Sequence, residues 1–234
     1  MTPLATEDDP ALDVLYVDNH LLAVRKPAGL PSVPDATGDT SLLDIARTWV
    51  QREFQKPGKA YLGVVQRLDR PVSGVLVFAR TSKAASRLTR ALRDGEVEKV
   101  YLAVALGELF GEEGRVEHWL RKDRSRNQVH VVAPGTPGAK AAETTWRVLA
   151  RQGGRTLLEL RPHTGRSHQL RVAAASLGAP LAGDLRYGAS APLPDRSVAL
   201  HARTLVFAHP TRDERVHLEC PLPDLAVWRF PDFG

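Results

Sequence analysis

The chain has a single cysteine and no long apolar run, and each shortage excludes a class of protein. Cys220 is the only cysteine among 234 residues, so no internal disulfide can form, which is typical of a reducing compartment. No apolar run approaches the roughly 20 residues that span a bilayer, and residues 1–10 lack the basic and apolar parts of a signal peptide. We therefore expect a cytoplasmic protein that has no membrane partner.

Motifs for nucleotide cofactors and catalytic metals are also missing. The sequence contains no Gly-x-Gly-x-x-Gly segment, no P-loop and no His-Glu-x-x-His pair. We therefore expect neither a cofactor nor a metal. A metal hydrolase is an alternative, and its ligands would come from His163, His168, His201, His209 and Cys220.

Basic residues exceed acidic residues by a small margin, 32 against 27, which favours an anionic partner. They are concentrated in two stretches, residues 80–93 and residues 115–126. The first stretch contains no acidic residue, and its basic residues are Arg80, Lys83, Arg87, Arg90 and Arg93. Each stretch fits either contacts with nucleic-acid phosphates or a solvated surface, and both interpretations stay open.

Short apolar runs separated by turns predict many strands and few helices. We predict strands near residues 14–17, 21–25, 64–68, 75–79, 100–106, 128–132, 144–150, 156–161, 204–208 and 215–219. We predict helices from Ser41 through Phe54, from Ser82 to just before Gly95, and from Arg166 or Ser167 to Gly178. The pattern is typical of an α+β fold with a mostly antiparallel sheet. No repeat or long linker divides the chain, so we expect one domain over residues 11–234 after a disordered tail of residues 1–10.

An aspartate lies between two arginines where a strand pattern gives way to a turn. Residues 65–74 read VQRLDRPVSG, in which Asp69 stands between Arg67 and Arg70. A surface aspartate beside arginines usually forms a solvated ion pair that contributes little. Here the sequence on both sides is that of buried strands, which predicts a rigid, partly enclosed position for the acid. Asp69 is therefore the first candidate for chemistry.

Three ordered segments resemble the signatures of a known family. They are Arg-Leu-Asp-Arg with Ser-Gly close behind (residues 67–74), Thr-Gly-Arg-Ser-His-Gln-Leu-Arg (residues 164–171) and Gly-Asp-x-x-Tyr-Gly (residues 183–188). These segments are similar to those of the RluA-type RNA pseudouridine synthases. Further matches in the same order lie at residues 25–30, 99–103 and 200–203.

The resemblance implies an isomerase that converts uridines in ribosomal or transfer RNA to pseudouridine without a cofactor. It implies an α+β catalytic fold in which helices flank a mixed, mostly antiparallel sheet and a catalytic cleft crosses the sheet. It also implies a monomer, and the matching segments begin too early for a preceding S4-type RNA-binding domain. The alternative is an RNA-binding or ribosome-assembly protein that has the same fold but no activity.

The resemblance also assigns roles to individual residues. The catalytic aspartate corresponds to Asp69, its arginine partner to Arg166, and the tyrosine that packs against the target base to Tyr101. Arg67 corresponds to an arginine that enters the RNA and supports a flipped-out uridine. From sequence alone, Tyr101 also fits a core residue and Arg166 a charge at the start of a helix. Arg67 also fits an ion pair at the rim of a cleft.

Further residues are candidates for contacts with RNA, and two positions depart from the family pattern. The additional RNA-binding candidates are Arg70, Lys83, Arg87 and Arg90. For Lys26 we favour support of the following turn over a contact with RNA. Gln66 stands where the family usually has histidine, and Val72 where it usually has threonine. Because the proposed catalytic residues are all present, we expect the activity to survive and the RNA contacts to differ.

Overall fold

The computed structural model describes residues 12–55, 57–107, 109–231 and 233. The predicted tail of residues 1–10 lies outside them. Within the described ranges, 11 strands form one sheet and three helices pack on it. The strands are β1 (Val14–Val17), β2 (Leu21–Lys26), β3 (Gly63–Val64), β4 (Ser73–Ala79), β5 (Glu98–Leu106), β6 (Glu113–Asp123), β7 (Gln128–Val132), β8 (Lys140–Gln152), β9 (Arg155–Pro162), β10 (Leu200–Ala208) and β11 (Arg215–Glu219). The helices are α1 (Leu42–Glu53), α2 (Ser82–Asp94) and α3 (Gln169–Ser176).

The sheet is mixed and mostly antiparallel, which confirms the predicted α+β class. Its hydrogen-bonded order is β1-β2-β4-β10-β5-β9-β8-β6-β7, while β11 pairs with β10 and β3 with β4. The pair β4–β10 is parallel and the other pairs are antiparallel. Strand β4 is buried along its whole length, so the parallel pair lies in the core. In the described part of the chain, no helix is both long and apolar enough to cross a membrane.

A glycine allows the parallel pair to form. Gly74 has a φ of 125°, and a Cβ at this position would lie 2.4 Å from the backbone nitrogen and oxygen of Ala202. A larger residue would therefore push β4 away from β10. Ala202 also pairs with Tyr101 on β5, so the three residues are neighbours across the sheet. This close approach brings Asp69, just before β4, and Tyr101 to the same side of the molecule.

The strand predicted at residues 64–68 ends at Val64. Beyond it, a side chain from a loop makes the hydrogen bonds to Leu68 that a neighbouring strand would otherwise make. The hydroxyl of Ser32 donates to the carbonyl of Leu68 at 2.7 Å and accepts from the amide of Leu68 at 3.1 Å. Both backbone groups are therefore satisfied outside the sheet. The segment that carries Asp69 leaves the sheet and is nevertheless fixed.

Strand β6 was not predicted, although its sequence alternates. Val116 and Leu120 are buried, while Arg115, Glu117 and Arg121 beside them are exposed. The sequence analysis considers this stretch only as phosphate contacts or a solvated surface, because its charged residues dominate the pattern. Alternation is what a strand with one solvated face requires.

Two of the three helices differ from the prediction at their first residues. α1 starts at Leu42 and is capped by Ser41 as expected, with a reciprocal capping box between Ser41 and Asp44. α2 is capped by Thr81 instead of Ser82. α3 begins only at Gln169, because the side chain of Gln169 accepts from the amide of Arg166 at 3.0 Å and holds the preceding residues in a loop.

Candidate active site

A cleft of about 1260 Å³ opens where the loop before β4 faces the loop before α3. Its lining includes Asp69, Tyr101, Arg166, His168 and Arg171. Asp69 and the segment of Arg166, His168 and Arg171 are about a hundred positions apart, and the sheet brings them together because β4, β10, β5 and β9 are successive neighbours. The cleft is large enough for a nucleotide and is open on one side.

Asp69 sits at the base of this cleft on a fixed backbone. Its side chain is 30% exposed, so it is partly enclosed as the sequence predicted. The amide of Val72 donates to the carbonyl of Asp69 at 3.0 Å, and Ser32 holds the preceding residue Leu68. The carboxylate therefore has little freedom to leave the cleft.

A buried lysine supports the residue that follows Asp69. Lys26 is fully buried, and its Nζ donates to the carbonyl oxygens of Pro27 at 2.9 Å and Arg70 at 3.1 Å. Burial lowers the pKa of Lys26 to about 7, against the opposing effect of the Asp69 charge. These contacts give Lys26 the structural role that the sequence favoured.

The guanidinium of Arg70 is also bonded within the protein. Its Nε donates to the carbonyl of Gly29 at 2.9 Å, and its Nη2 forms an ion pair with Asp39. A contact between Arg70 and RNA would require these bonds to break. The backbone on both sides of Asp69 is thus attached to the loop that follows β2.

The carboxylate of Asp69 faces Arg171, and the predicted pair with Arg166 is wrong. Nη1 of Arg171 lies 3.4 Å from Oδ2 of Asp69. Arg166 is exposed, and its Nε donates instead to the carbonyl of Ala141 at 2.9 Å. The physical reason is the late start of α3: Arg166 precedes the helix, whereas Arg171 lies on its buried face.

Arg171 is held by a second carboxylate. Its Nε and Nη2 donate to the two oxygens of Asp184 at 2.7 Å each, and Asp184 is 1% exposed. Although burial alone would lower the pKa of Arg171, Asp184 and then Asp69 raise it above its ordinary value. Arg171 is a charged residue among the apolar residues of α3, and a buried charge needs a partner of opposite charge. This position was the signal in the sequence that could have revealed the pair.

The imidazole of His168 also lies near Asp69. Its Nε2 lies 3.7 Å from Oδ2 of Asp69, and its Nδ1 lies 2.7 Å from the hydroxyl of Tyr187. His168 is 8% exposed and has a positive φ of 53°. Sequence reasoning considered His168 only as a possible metal ligand and did not single out Tyr187.

Tyr101 lines the cleft from β5, and no hydrogen bond joins its hydroxyl to a described residue. Burial, and next the charge of Asp69, raise the pKa of Tyr101 to about 12. At pH 7 only about one phenol in 10⁵ is then ionised. A ring in this position is suited to packing against a base and poorly suited to removing a proton.

The other predicted RNA-binding residues occupy two surfaces. Arg67 is exposed at the cleft, and no hydrogen bond or ion pair joins it to another described residue. Lys83, Arg87 and Arg90 are exposed on one face of α2, and Arg87 also donates to the carbonyl of Pro210. The last turn of α2 reaches the cleft through Leu92 and Arg93. Lys122, from the second basic stretch, and Arg186, which the sequence analysis did not single out, line the cleft as well.

The residues of the metal-hydrolase alternative lie in separate places. His201 hydrogen-bonds Ser73 and the carbonyl of Cys220, whereas His209 hydrogen-bonds Asp18. Among the described residues, no group of three or more histidine, cysteine or acidic side chains is placed to hold a metal ion.

Comparisons with known proteins identify a family. Residues 20–176 match the family model described as RNA pseudouridylate synthase. The chain is 36% identical over 215 residues to the uncharacterized RNA pseudouridine synthase YhcT of Bacillus subtilis, which covers 91% of this chain and 69% of that protein. It is 36% identical over 209 residues to the dual-specificity RNA pseudouridine synthase RluA of Yersinia pestis, covering 88% and 97%.

A third relative and a solved structure extend the comparison. The chain is 36% identical over 239 residues to the ribosomal large subunit pseudouridine synthase D of Xanthomonas campestris, covering 95% of this chain and 69% of that protein. The structure of human RNA pseudouridylate synthase domain containing 1 superimposes with a TM-score of 0.72 at 27% identity, covering 96% and 88%.

The fold and the matches define the class. The chain belongs to the RNA pseudouridylate synthase family and, within it, to the RluA type. It is an RNA pseudouridine synthase, and hence an isomerase.

Proposed function

We propose that this pseudouridine synthase modifies ribosomal or transfer RNA and that Asp69 is its nucleophile. The observation that carries the proposal is the asymmetry of the Asp69 carboxylate. Oδ2 lies 3.4 Å from Nη1 of Arg171, whereas no hydrogen bond joins Oδ1 to a described residue. Oδ1 is therefore the oxygen that can attack a bound nucleotide while Arg171 holds Oδ2.

Isomerisation needs little more than such a carboxylate. The reaction breaks the bond between N1 of uracil and C1′ of the ribose, turns the base and forms a bond between C5 and C1′, while the C5 proton is lost and N1 regains one. No electrons are transferred to a second substrate. Carboxylates are competent covalent nucleophiles at sugar centres. Arg171 places a positive charge beside the carboxylate, which offsets the repulsion between Asp69 and approaching RNA phosphates.

Tyr101 packs against the target base in this proposal. Its ring forms a wall of the cleft beside Asp69, and its hydroxyl is free to meet the base. The raised pKa supports packing as its role. Aromatic rings hold flipped-out bases in this way in other base-modifying enzymes.

Arg67 supports the flipped uridine. Extruding a base costs a few kcal/mol in lost stacking and pairing, which a side chain inserted into the gap can offset. Arg67 is exposed beside Asp69 and has no protein partner among the described residues, so its guanidinium can enter the RNA without breaking a bond. A guanidinium can stack on bases and bond to phosphates at once.

The exposed face of α2 continues the binding surface beyond the cleft. Lys83, Arg87 and Arg90 follow one another at helical spacing, and the end of the same helix lines the cleft. An RNA strand that leaves the cleft along α2 would meet these three charges. Arg70 stays a candidate only if its bonds to Gly29 and Asp39 open.

The names of two relatives bear on the class of RNA. That of the Xanthomonas relative specifies the large ribosomal subunit, and that of the Yersinia relative specifies more than one target without naming the RNA. We extend these classes to this chain as a proposal, together with a single catalytic domain, a monomeric state and a cytoplasmic location.

Mapping pseudouridine across all ribosomal and transfer RNA tests the proposal. RNA would be compared from cells that lack the gene, from the same cells carrying the wild-type gene, and from cells carrying Asp69→Asn. We expect specific sites to disappear on deletion and to return only with the wild-type gene. An unchanged map after deletion would refute ribosomal and transfer RNA as targets.

A further inference from the structure

A chain of polar contacts runs from the backbone of β7 to Asp69. The amide of Val129 donates to the hydroxyl oxygen of Tyr187 at 2.8 Å, and this oxygen lies 2.7 Å from Nδ1 of His168. On the other side of the ring, Nε2 of His168 lies 3.7 Å from Oδ2 of Asp69. Tyr187 comes from the Gly-Asp-x-x-Tyr-Gly segment, whose tyrosine has no role in the proposed function.

The contacts favour one tautomer of His168. A backbone amide can only donate, so the phenol oxygen of Tyr187 accepts from Val129. The single phenol hydrogen then has one acceptor among the described residues, which is Nδ1 of His168. A neutral imidazole that accepts at Nδ1 carries its proton on Nε2. The N–H bond at Nε2 is therefore on the side of the ring that faces Asp69.

We propose that His168 is a positioning residue for Asp69: its Nε2–H, oriented by Tyr187, closes on Oδ2 when substrate fills the cleft and leaves Oδ1 free to react. Oδ2 would then be held from two directions, by Arg171 and by His168. The distance of 3.7 Å exceeds a hydrogen bond, and such bonds are often long before substrate is bound. The inference rests on the proposed role of Asp69.

The backbone at His168 supports a dedicated orientation of the ring. His168 stands at the cap of α3, where Ser, Asp or Asn would bond the helix amides, yet its side chain makes no capping bond. It also adopts a left-handed conformation, which costs a non-glycine residue free energy. Both features are costs to stability, and they are expected where a side chain is directed at a site.

The charges around His168 favour its neutral form. Burial lowers the pKa of His168, the charge of Asp69 opposes this, and the nearby cations lower the pKa further. The facing groups are Asp69 before β4, Arg171 on α3, Lys122 on β6, and Arg186 and Tyr187 after α3. At neutral pH the ring is therefore uncharged, which is the state in which Nε2 can donate while Nδ1 accepts.

Two substitutions at His168 separate positioning from a structural role. His168→Gln places an amide N–H near the position of Nε2, whereas His168→Asn cannot reach it but tolerates the left-handed backbone better. We expect kcat to fall by about tenfold or more in His168→Asn and to recover most of that loss in His168→Gln, with KM for RNA unchanged. Tyr187→Phe should lower kcat as His168→Asn does, because it removes the bond that fixes the tautomer.

The ring itself provides a readout that does not depend on turnover. Nitrogen NMR of the wild-type protein should show His168 as the neutral Nε2–H form, and Asp69→Asn should lower the pKa of His168, because the favourable charge is removed. The inference would be overturned if kcat of His168→Asn equalled or exceeded that of His168→Gln, or if the ring were the Nδ1–H tautomer. In either case, an inactive Asp69→Asn variant would leave the proposed function standing. Turnover by Asp69→Asn would refute the proposed function and the inference with it.

Discussion

Arg171 joins two carboxylates: its Nη1 lies 3.4 Å from Oδ2 of Asp69, while its Nε and Nη2 bind Asp184 at 2.7 Å each. The two parallel bonds to Asp184 fix the plane of the guanidinium, and the remaining nitrogen is thereby aimed at Asp69. Asp184, which is buried and never reaches the cleft, thus acts on the candidate nucleophile through Arg171. This relationship links the signatures at residues 164–171 and 183–188 to the signature at residues 67–74.

Substitution of Arg171 should cost far more activity than the same substitution of Arg166. Arg171→Lys keeps a positive charge but loses the two-bond geometry to Asp184, so we expect kcat to fall by more than about tenfold. Arg166→Lys is the matched control, and we expect a change of about threefold or less, since Arg166 contacts only a backbone carbonyl among the described residues. Single-turnover kinetics and thermal melting of both variants would measure this. A larger loss in Arg166→Lys would contradict the geometry.

Lys26 should make the protein more stable as the pH rises above neutrality. Its pKa is about 7 in the folded protein against an ordinary value of 10.5, so between these pH values the unfolded chain binds more protons. The free energy of unfolding should therefore rise with pH in this window, by up to about 1.4 kcal/mol per pH unit from this residue. Below pH 7 both states are protonated, and the contribution no longer changes.

Lys26→Met is the control for this pH dependence. The variant should be less stable, because the carbonyls of Pro27 and Arg70 lose their donor, but its stability should lack the rise between pH 7 and 10. Denaturant titrations at several pH values would measure the difference. Parallel curves for the two proteins would show that Lys26 does not titrate in this range.

The sequence predicted the fold class and most elements because apolar alternation survives in most of its strands. β1, β7 and β11 were predicted with the bounds that the structure has. β6 was missed because its outward side chains are charged and dominate the pattern. The strand predicted at residues 64–68 was too long, since no sequence pattern shows that the side chain of Ser32, distant in the chain, hydrogen-bonds both backbone groups of Leu68.

The sequence predicted the outline of the candidate site but assigned the wrong arginine as the partner of Asp69. The resemblance placed Asp69 and Tyr101, and the structure brings both to one cleft. It assigned the arginine of the Thr-Gly-Arg motif, Arg166, as the partner of Asp69, whereas the structure places Arg171 of the same segment there. The distinction depends on where α3 begins, and that is set by the bonds of the Gln169 side chain to Thr164 and Arg166. Such side-chain bonds cannot be deduced from spacing.

Arg67 should matter only when the target base must be flipped out of structured RNA. We expect Arg67→Ala to slow modification of a folded RNA by about tenfold or more, and that of an unstructured oligonucleotide by about threefold or less. Arg67→Lys keeps the charge but not the planar group, so a loss similar to that of Arg67→Ala would indicate stacking. Equal kinetics of wild type and Arg67→Ala on the folded RNA would exclude a role in flipping.

The basic face of α2 should contribute to the salt dependence of RNA binding. Replacing Lys83, Arg87 and Arg90 together by glutamine should reduce the slope of log affinity against log salt concentration by about two to three. The control triple variant, Arg151, Arg215 and Arg229 to glutamine, makes the same change in net charge at exposed residues that do not line the cleft. Filter binding at several salt concentrations would measure both slopes. If the two variants lost the same slope, the effect would be one of net charge.

The most direct test of the account is single-turnover isomerisation by Asp69→Asn, measured beside its affinity for the same RNA. The substitution removes the negative charge but keeps nearly the same volume, and Arg171 retains Asp184 as its partner. We expect no detectable pseudouridine and an affinity within about threefold of the wild type. Turnover within about a hundredfold of the wild-type rate would show that the reaction does not depend on the Asp69 carboxylate.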